Sequence, residues 1–199
     1  MTAAVAAIVL AAGRSTRMGA DNKLLCEVAG TPMVRLVVDT ALASRARPIN
    51  VVVGHQADQV RAALAGLKVG FVDNPAYASG LASSLRAGLG SLPQTLAGAL
   101  VLLGDMPTLK STHLDRLIEA FEAASGDAII VPVHDGERGN PVLWPARYFP
   151  ELMQLDGDVG ARRLFARHAQ TITEVAVEAA VLHDVDTPEA LARLRGEHP

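Results

Sequence analysis

The sequence predicts an α/β protein with a mainly parallel sheet. Two patterns carry this. Short, continuous apolar runs alternate with helix-patterned segments over about 130 residues, and Gly, Pro and Asn mark the connections between them. Composition agrees: of 199 residues, 50% are apolar and 20% charged, enough for a real core. That length suits one domain, residues 1–199, with an insertion in its second half.

Val5 to Ala11 is a short apolar run ending at Gly13, as in a strand buried on both faces. The start of the chain lacks a basic segment and meets Gly and charges at once, so a first strand fits it better than a signal peptide. Thr31-Pro32 reads as a helix N-cap followed by proline at the first helical position. Met33, Leu36, Val37 and Leu42 continue that helix. Ile49 to Val53 is a strand, Ala57 to Ala65 a helix and Lys68 to Val72 a strand. Asn74-Pro75 marks a turn, and Leu81 to Leu89 a helix. Ala99 to Leu103 is the most apolar strand and runs into Gly104-Asp105-Met106-Pro107. A helix over Thr112–Ala124 and a strand over Ala128–Val133 follow. In the last third, Val142–Trp144 reads as a short strand. Phe149–Leu155 and Ala161–His168 read as short helices and Val175–Leu182 as a strand. Thr187-Pro188 opens a final helix.

Lys and Arg number 18 against 21 Asp and Glu, a net charge of -3, and aromatics make up 4%. Neither a basic excess nor a stacking platform points to nucleic acid. No apolar run reaches the length of a membrane span. The one cysteine, Cys26, excludes an internal disulfide and a cysteine-built zinc site, and fits a cytoplasmic protein.

The chemistry gathers in the loops. Residues 13–23 carry Arg14, Arg17 and Lys23 against Asp21, a local positive loop after a buried strand. That is where α/β sheets place nucleotides, and small residues let backbone N–H groups approach an anion. The spacing is neither a P-loop nor a dinucleotide fingerprint, and the composition also suits a surface loop of solvated cations. Asp105, at the end of the most apolar strand, suits Mg²⁺, which takes one or two carboxylates plus phosphates and waters. It would equally start a turn. Ser83 and Ser84 suit a base edge, a phosphate or a helix cap. Glu137 to Leu143 makes a tight loop, a pocket wall or a plain hairpin-like connection. Asp158 stands where capping would explain it, and Asp186 precedes a Thr187-Pro188 helix start that capping already explains.

Together these segments resemble the nucleotidyltransferases of the molybdenum cofactor group, the cytidylyltransferases above all. The segment L-A-A-G-R-S-T-R-M-G-A-D-N-K-L-L from Leu10 to Leu25 matches the family's N-terminal signature. Asn74-Pro75…Gly80-Leu81…Ser84-Leu85, Gly104-Asp105-Met106-Pro107, the Gly157-to-Arg162 loop and Asp184-Val185-Asp186-Thr187-Pro188 follow in order. The resemblance implies a doubly wound, Rossmann-like three-layer αβα fold. It implies that Leu10, Ala11, Ala12, Gly13, Arg14, Asn74, Ser84 and Gly104 bind the nucleotide. Arg17 and Lys23 would hold the triphosphate, Asp105 would ligate Mg²⁺, and Asp186 is a second candidate ligand. Arg138, Gly139, Asn140, Pro141 and Asp158 would line the second-substrate pocket, with Asn140 where the family has His.

The implied reaction transfers CMP from CTP to the molybdopterin-bound cofactor and releases pyrophosphate, with a recipient molybdenum enzyme as partner. The guanylyltransferase relatives carry L-A-G-G at the first turn and Asp before the Lys; here Ala12 and Asn22 stand at those places. The Ala12 methyl narrows the base site toward a pyrimidine. GTP use, a sugar-phosphate acceptor, or a non-catalytic cofactor-binding chaperone for a molybdenum enzyme are the alternatives. Retention of Arg17, Lys23 and Asp105 argues against the chaperone.

Overall fold

A computed structural model describes residues 3–15, 22–157 and 161–196. Strand β1 (Val5–Ala11) is buried along its whole length. Successive strand residues face opposite sides, so β1 divides the core. Val5, Ala7, Val9 and Ala11 join one half and Ala6, Ile8 and Leu10 the other. A small antiparallel hairpin follows, β2 (Glu27–Val28) and β3 (Thr31–Pro32), leading directly into α1 (Met33–Ala43). The hairpin turn places Ala29 and Gly30 at positive φ, 50° and 77°. Thr31 is thereby drawn into β3 and does not cap α1, whose N-cap is Pro32 without a side-chain hydrogen bond.

The alternation then runs β4 (Ile49–Val53), α2 (Ala57–Ala63), β5 (Gly70–Asp73), α3 (Leu81–Gly90), β6 (Gly98–Leu103), α4 (Ser111–Ala123) and β7 (Ile129–His134). The second half inserts β8 (Glu137–Arg138), β9 (Val142–Pro145), α5 (Phe149–Leu152) and α6 (Arg163–Arg167) before β10 (Ile172–Ala176) and α7 (Pro188–Arg195). The main sheet has the order β10-β7-β9-β6-β1-β4-β5, with β8 beside β7. β1 pairs in parallel with β4 and β6, as do β4 with β5 and β10 with β7; β9 lies antiparallel to both its neighbours.

One face of the sheet carries α1, α2 and α4 through residues such as Val37, Val60, Leu117 and Phe121. The other carries α3, α5 and α6 through Leu85, Leu89, Leu152 and Phe165. This is a doubly wound, mostly parallel three-layer fold. α3 lies so close to the sheet that a Cβ on Gly88 would stand 2.5 Å from Ile8 Cγ2, which seats the N-terminus of α3 beside the carboxyl end of β1.

Two boundaries differ from the sequence expectation. β10 begins at Ile172, not Val175, because the half-exposed Ile172-Thr173-Glu174 segment pairs with β7 while residues 179–182 coil into a 3-10 turn that buries Val181. Phe149–Leu155 and Ala161–His168 form shorter helices than expected. The final helix begins as expected: Thr187 Oγ1 accepts from the Ala190 N–H and Pro188 opens the helix. Among the described residues no helix is long and apolar enough to cross a membrane.

Candidate active site

The strands β1, β4, β5 and β6 end on one edge, and the segments leaving β1, β5 and β6 border a cavity of about 580 Å³. Gly104 fits this edge by close approach. Its N–H donates to the Leu10 carbonyl at 3.0 Å, and a Cβ there would meet that same oxygen at 3.0 Å. The chain therefore passes from β6 straight to Asp105 at the cavity floor.

Lys23 reaches the same point from the first loop. Asn22 caps the short 3-10 turn of residues 23–25, its Oδ1 accepting the Leu24 N–H at 3.1 Å and the Ser15 hydroxyl at 3.3 Å. The Lys23 N–H donates to Ser15 Oγ, and Leu24 is buried in the core. This brace aims the Lys23 side chain inward, where Nζ donates to Asp105 Oδ2 and to Asp186 Oδ1, both at 2.5 Å. Asp186 is brought there by the Val185 N–H, which donates to the Asp105 carbonyl at 2.9 Å. Residues far apart in the chain thus meet as a carboxylate–ammonium–carboxylate group.

The electrostatics of that group follow from burial. Burial pushes the Asp105 carboxyl above the usual carboxylate range, and the Lys23 ammonium offsets only part of this. Burial alone would lower the Lys23 pKa, but the charges and hydrogen bonds of Asp105 and Asp186 outweigh it and hold it above its ordinary value. Lys23 therefore stays cationic at neutral pH.

Asp105 Oδ1 is buried and has no hydrogen-bond partner among the described residues. An unpartnered buried carboxylate oxygen, with the Asp186 carboxylate held on the same lysine, fits a hard divalent cation completed by phosphate and water oxygens. Among the described residues no group of three or more His, Cys, Asp or Glu could hold a metal ion.

Of the sequence-predicted residues, Leu10, Ala12, Gly13, Arg14, Lys23, Ser84, Gly104, Asp105 and Asp186 line this cavity together. Gly13 is exposed, and a Cβ on it would meet nothing. Ala11 does not line the cavity: its side chain is wholly buried in the core on the far face of β1. Asn74 does not line it either, being buried with its amide committed to protein partners. Arg17 and Asp158 lie outside the described residues. Ser83 and Ser84 do not cap α3, whose N-cap is Gly80 without a side-chain hydrogen bond; the Ala82 N–H there donates to the Gly157 carbonyl. Tyr77, Leu81 and Leu103 also line the cavity. Sequence reasoning passed over them, although Tyr77 and Leu81 sit inside the Asn74-to-Leu85 motif.

A second, more apolar cavity of about 310 Å³ adjoins the first and shares Leu10, Leu81 and Leu103 with it. Trp144 and Leu85 line it, and Asn140, Arg162 and Arg163 supply polar groups. Among the expected second-substrate residues that the structure describes, only Asn140 lines this cavity. Gly139 is excluded by packing, since a Cβ there would meet the Val181 carbonyl at 2.2 Å. Arg138 pairs with Glu174 and lies over the Phe165 ring, while Pro141 precedes β9 and lines neither cavity.

A doubly wound sheet with a basic first loop, a buried carboxylate after β6 and a nucleotide-sized cavity between them defines a nucleotidyltransferase. The chain belongs to the family of the MobA-like NTP transferase domain, which matches residues 7–172. The structure is similar to that of Rv0371c from Mycobacterium tuberculosis H37Rv, with 30% identity and a TM-score of 0.85 over 98% of this chain and 100% of that one. It is also similar to that protein's complex with manganese, at 27% identity and a TM-score of 0.82 over 98% and 100% of the two chains. A nucleotidyl transferase from Methanothermobacter thermautotroptrophicus shares the fold, with a TM-score of 0.84 at 22% identity over 97% of this chain and 96% of that one. In sequence, the chain is 41% identical over 131 residues to the bifunctional protein GlmU of Sorangium cellulosum, covering 62% of this chain and 27% of that protein. It thus spans about a quarter of the length of the curated relatives it matches.

Proposed function

We propose that this nucleotidyltransferase transfers CMP from CTP to the terminal phosphate of a molybdopterin-type cofactor, releasing pyrophosphate. The observation that carries the reading is the joining of two cavities. One has Lys23 and Asp105 at its charged end and Ala12 and Ser84 elsewhere on its wall; the apolar one beside it holds Asn140 and two arginines.

In the reaction, an oxygen of the acceptor phosphate forms a bond to the α-phosphorus of CTP, and the bond to the β-phosphate oxygen breaks in line. Two anions must meet, so the task is positioning and charge stabilisation. Lys23 holds the α-phosphate region as a fixed cation, and Arg14 and Arg17 hold the leaving pyrophosphate. Asp105, with Asp186, would hold Mg²⁺, which supplies charge neutralisation of phosphate oxygens when bound. The Ala12 methyl, on the cavity wall with Tyr77, limits the room for a purine. Arg162 and Arg163 offer charge to the acceptor's anionic group. The lone cysteine suits a cytoplasmic setting, with a molybdenum enzyme receiving the product.

Nucleotide choice tests the reading. Measuring pyrophosphate release with one acceptor and CTP, GTP, ATP or UTP should give kcat/KM highest for CTP, by about tenfold to a hundredfold over GTP. Equal values would remove the steric argument at Ala12. A GTP preference would assign the protein to guanylyl transfer, and turnover only with a sugar phosphate would replace the acceptor.

A further inference from the structure

Asn74 was expected at the nucleotide, yet it is 4% exposed and every polar atom of its side chain is used inside the protein. Its Oδ1 accepts the Ala76 N–H at 3.0 Å, which fixes the amide orientation. Its Nδ2 then donates to Ser83 Oγ at 2.9 Å and to Ser84 Oγ at 3.0 Å. Both amide hydrogens are spent on these two hydroxyls.

The two serines differ in what remains. The Ser83 hydroxyl passes its proton to the Gly80 carbonyl at 2.8 Å. That carbonyl is one turn back from Ser84 and already takes both the Ser83 hydroxyl and the Ser83 N–H. Ser84 Oγ accepts from Asn74, and its own proton has no protein acceptor among the described residues. Ser84 also lines the larger cavity, together with Tyr77, Gly80 and Ala12. A hydroxyl locked as acceptor on its buried side faces a ligand as a donor.

We propose that Asn74 is a positioning residue for nucleobase recognition: by donating to Ser84 Oγ it presents the Ser84 hydroxyl as a donor to an acceptor atom on the base edge, the O2 carbonyl of a pyrimidine. This rests on reading the larger cavity as the nucleotide site. Asn74 touches no substrate; it sets the polarity of the residue that does.

Asn74→Asp separates this role from a structural one. It keeps an oxygen for the Ala76 N–H and nearly the same volume, but replaces the donor with an acceptor, so the Ser84 proton turns away from the cavity. Calorimetric Kd values for CTP and for inorganic tripolyphosphate are compared in the native protein, Asn74→Asp, Ser84→Ala and the double variant. CTP binding should weaken about tenfold to a hundredfold in Asn74→Asp, tripolyphosphate binding should not change, and Asn74→Asp should add nothing in the Ser84→Ala background. If Asn74→Asp fails to fold, Asn74→Ser carries the same expectation, being able to cap the turn but too short to hold Ser84. In the native protein, CTP with sulfur in place of O2 should bind more weakly than CTP, and Ser84→Ala should abolish that difference. Equal loss for CTP and tripolyphosphate, a loss that persists without the Ser84 hydroxyl, or no loss at all would each overturn the proposal. If the native protein binds CTP no better than tripolyphosphate, the nucleotide reading itself fails and takes this inference with it.

Discussion

Asp105→Asn is expected to lower metal-dependent pyrophosphate release by about 10²–10³-fold while the protein stays folded, since losing one principal electrostatic contact to a transferring group costs that much. The substitution is nearly isosteric. Oδ2 is the only side-chain atom of Asp105 hydrogen-bonded among the described residues, and Lys23 keeps Asp186 as a partner. The tie between Asp105 and Val185 runs through the backbone and is untouched. An unchanged thermal midpoint beside a collapsed kcat identifies a functional carboxylate. Near-native turnover in Mg²⁺ would place the essential carboxylate elsewhere.

Lys23→Met should lower kcat by on the order of 10²-fold and raise the KM for CTP only a few-fold. The reason is where charge develops: it grows around the transferred phosphoryl group in the transition state, so a fixed cation there acts mainly at that point. The ammonium is held in place by two carboxylates and braced by the Ser15–Asn22 contacts, so it is pre-organised. Its raised pKa keeps it charged through neutral pH. The stability its pairing contributes is present below its unfolded pKa and is lost only as pH rises through the higher folded value. An alkaline fall in kcat near neutrality therefore belongs to another group. Steady-state kinetics decide the role: a rise in KM with kcat unchanged would make Lys23 a uniform triphosphate anchor.

Much of the fold was legible because its signals are local. β1 and β6 are continuous apolar runs, as strands buried on both faces must be, and β4 is a β-branched run broken only by Asn50. Less legible was the part set by tertiary pairing. The Asp135-Gly136 turn, with φ of 49° and 81°, builds the β7–β8 hairpin. The dipeptide carries a hairpin signal, but the strand it returns, Glu137–Arg138, is two charged residues with no apolar pattern to mark it. β10 is an edge strand with half-exposed residues, and the apolar Val177 and Val181 after it belong to a small satellite core, so hydrophobicity misplaced its limits.

The candidate site divides in the same way. Lys23, Asp105 and Asp186 each sat in a readable motif, but nothing in their spacing says that one ammonium bridges two carboxylates so far apart in the chain. Gly139 was expected in the pocket on the resemblance alone, since Gly-Asn-Pro composition equally marks a plain connection; packing against Val181 is what requires glycine there. Asn74 was recognisable as important, while its role depends on which hydroxyls its amide meets, a matter of three-dimensional geometry alone.

The central claim is that Asp105 and Lys23 share one substrate-binding centre. Anomalous scattering from crystals grown with Mn²⁺ and a non-hydrolysable CTP analogue tests it most directly. The expected map shows manganese bonded to a carboxylate oxygen of Asp105 and to phosphate oxygens, with the triphosphate beside Lys23 and the base near Ala12 and Ser84. Manganese away from Asp105, or a triphosphate that lies outside the cavity holding Lys23, would contradict it.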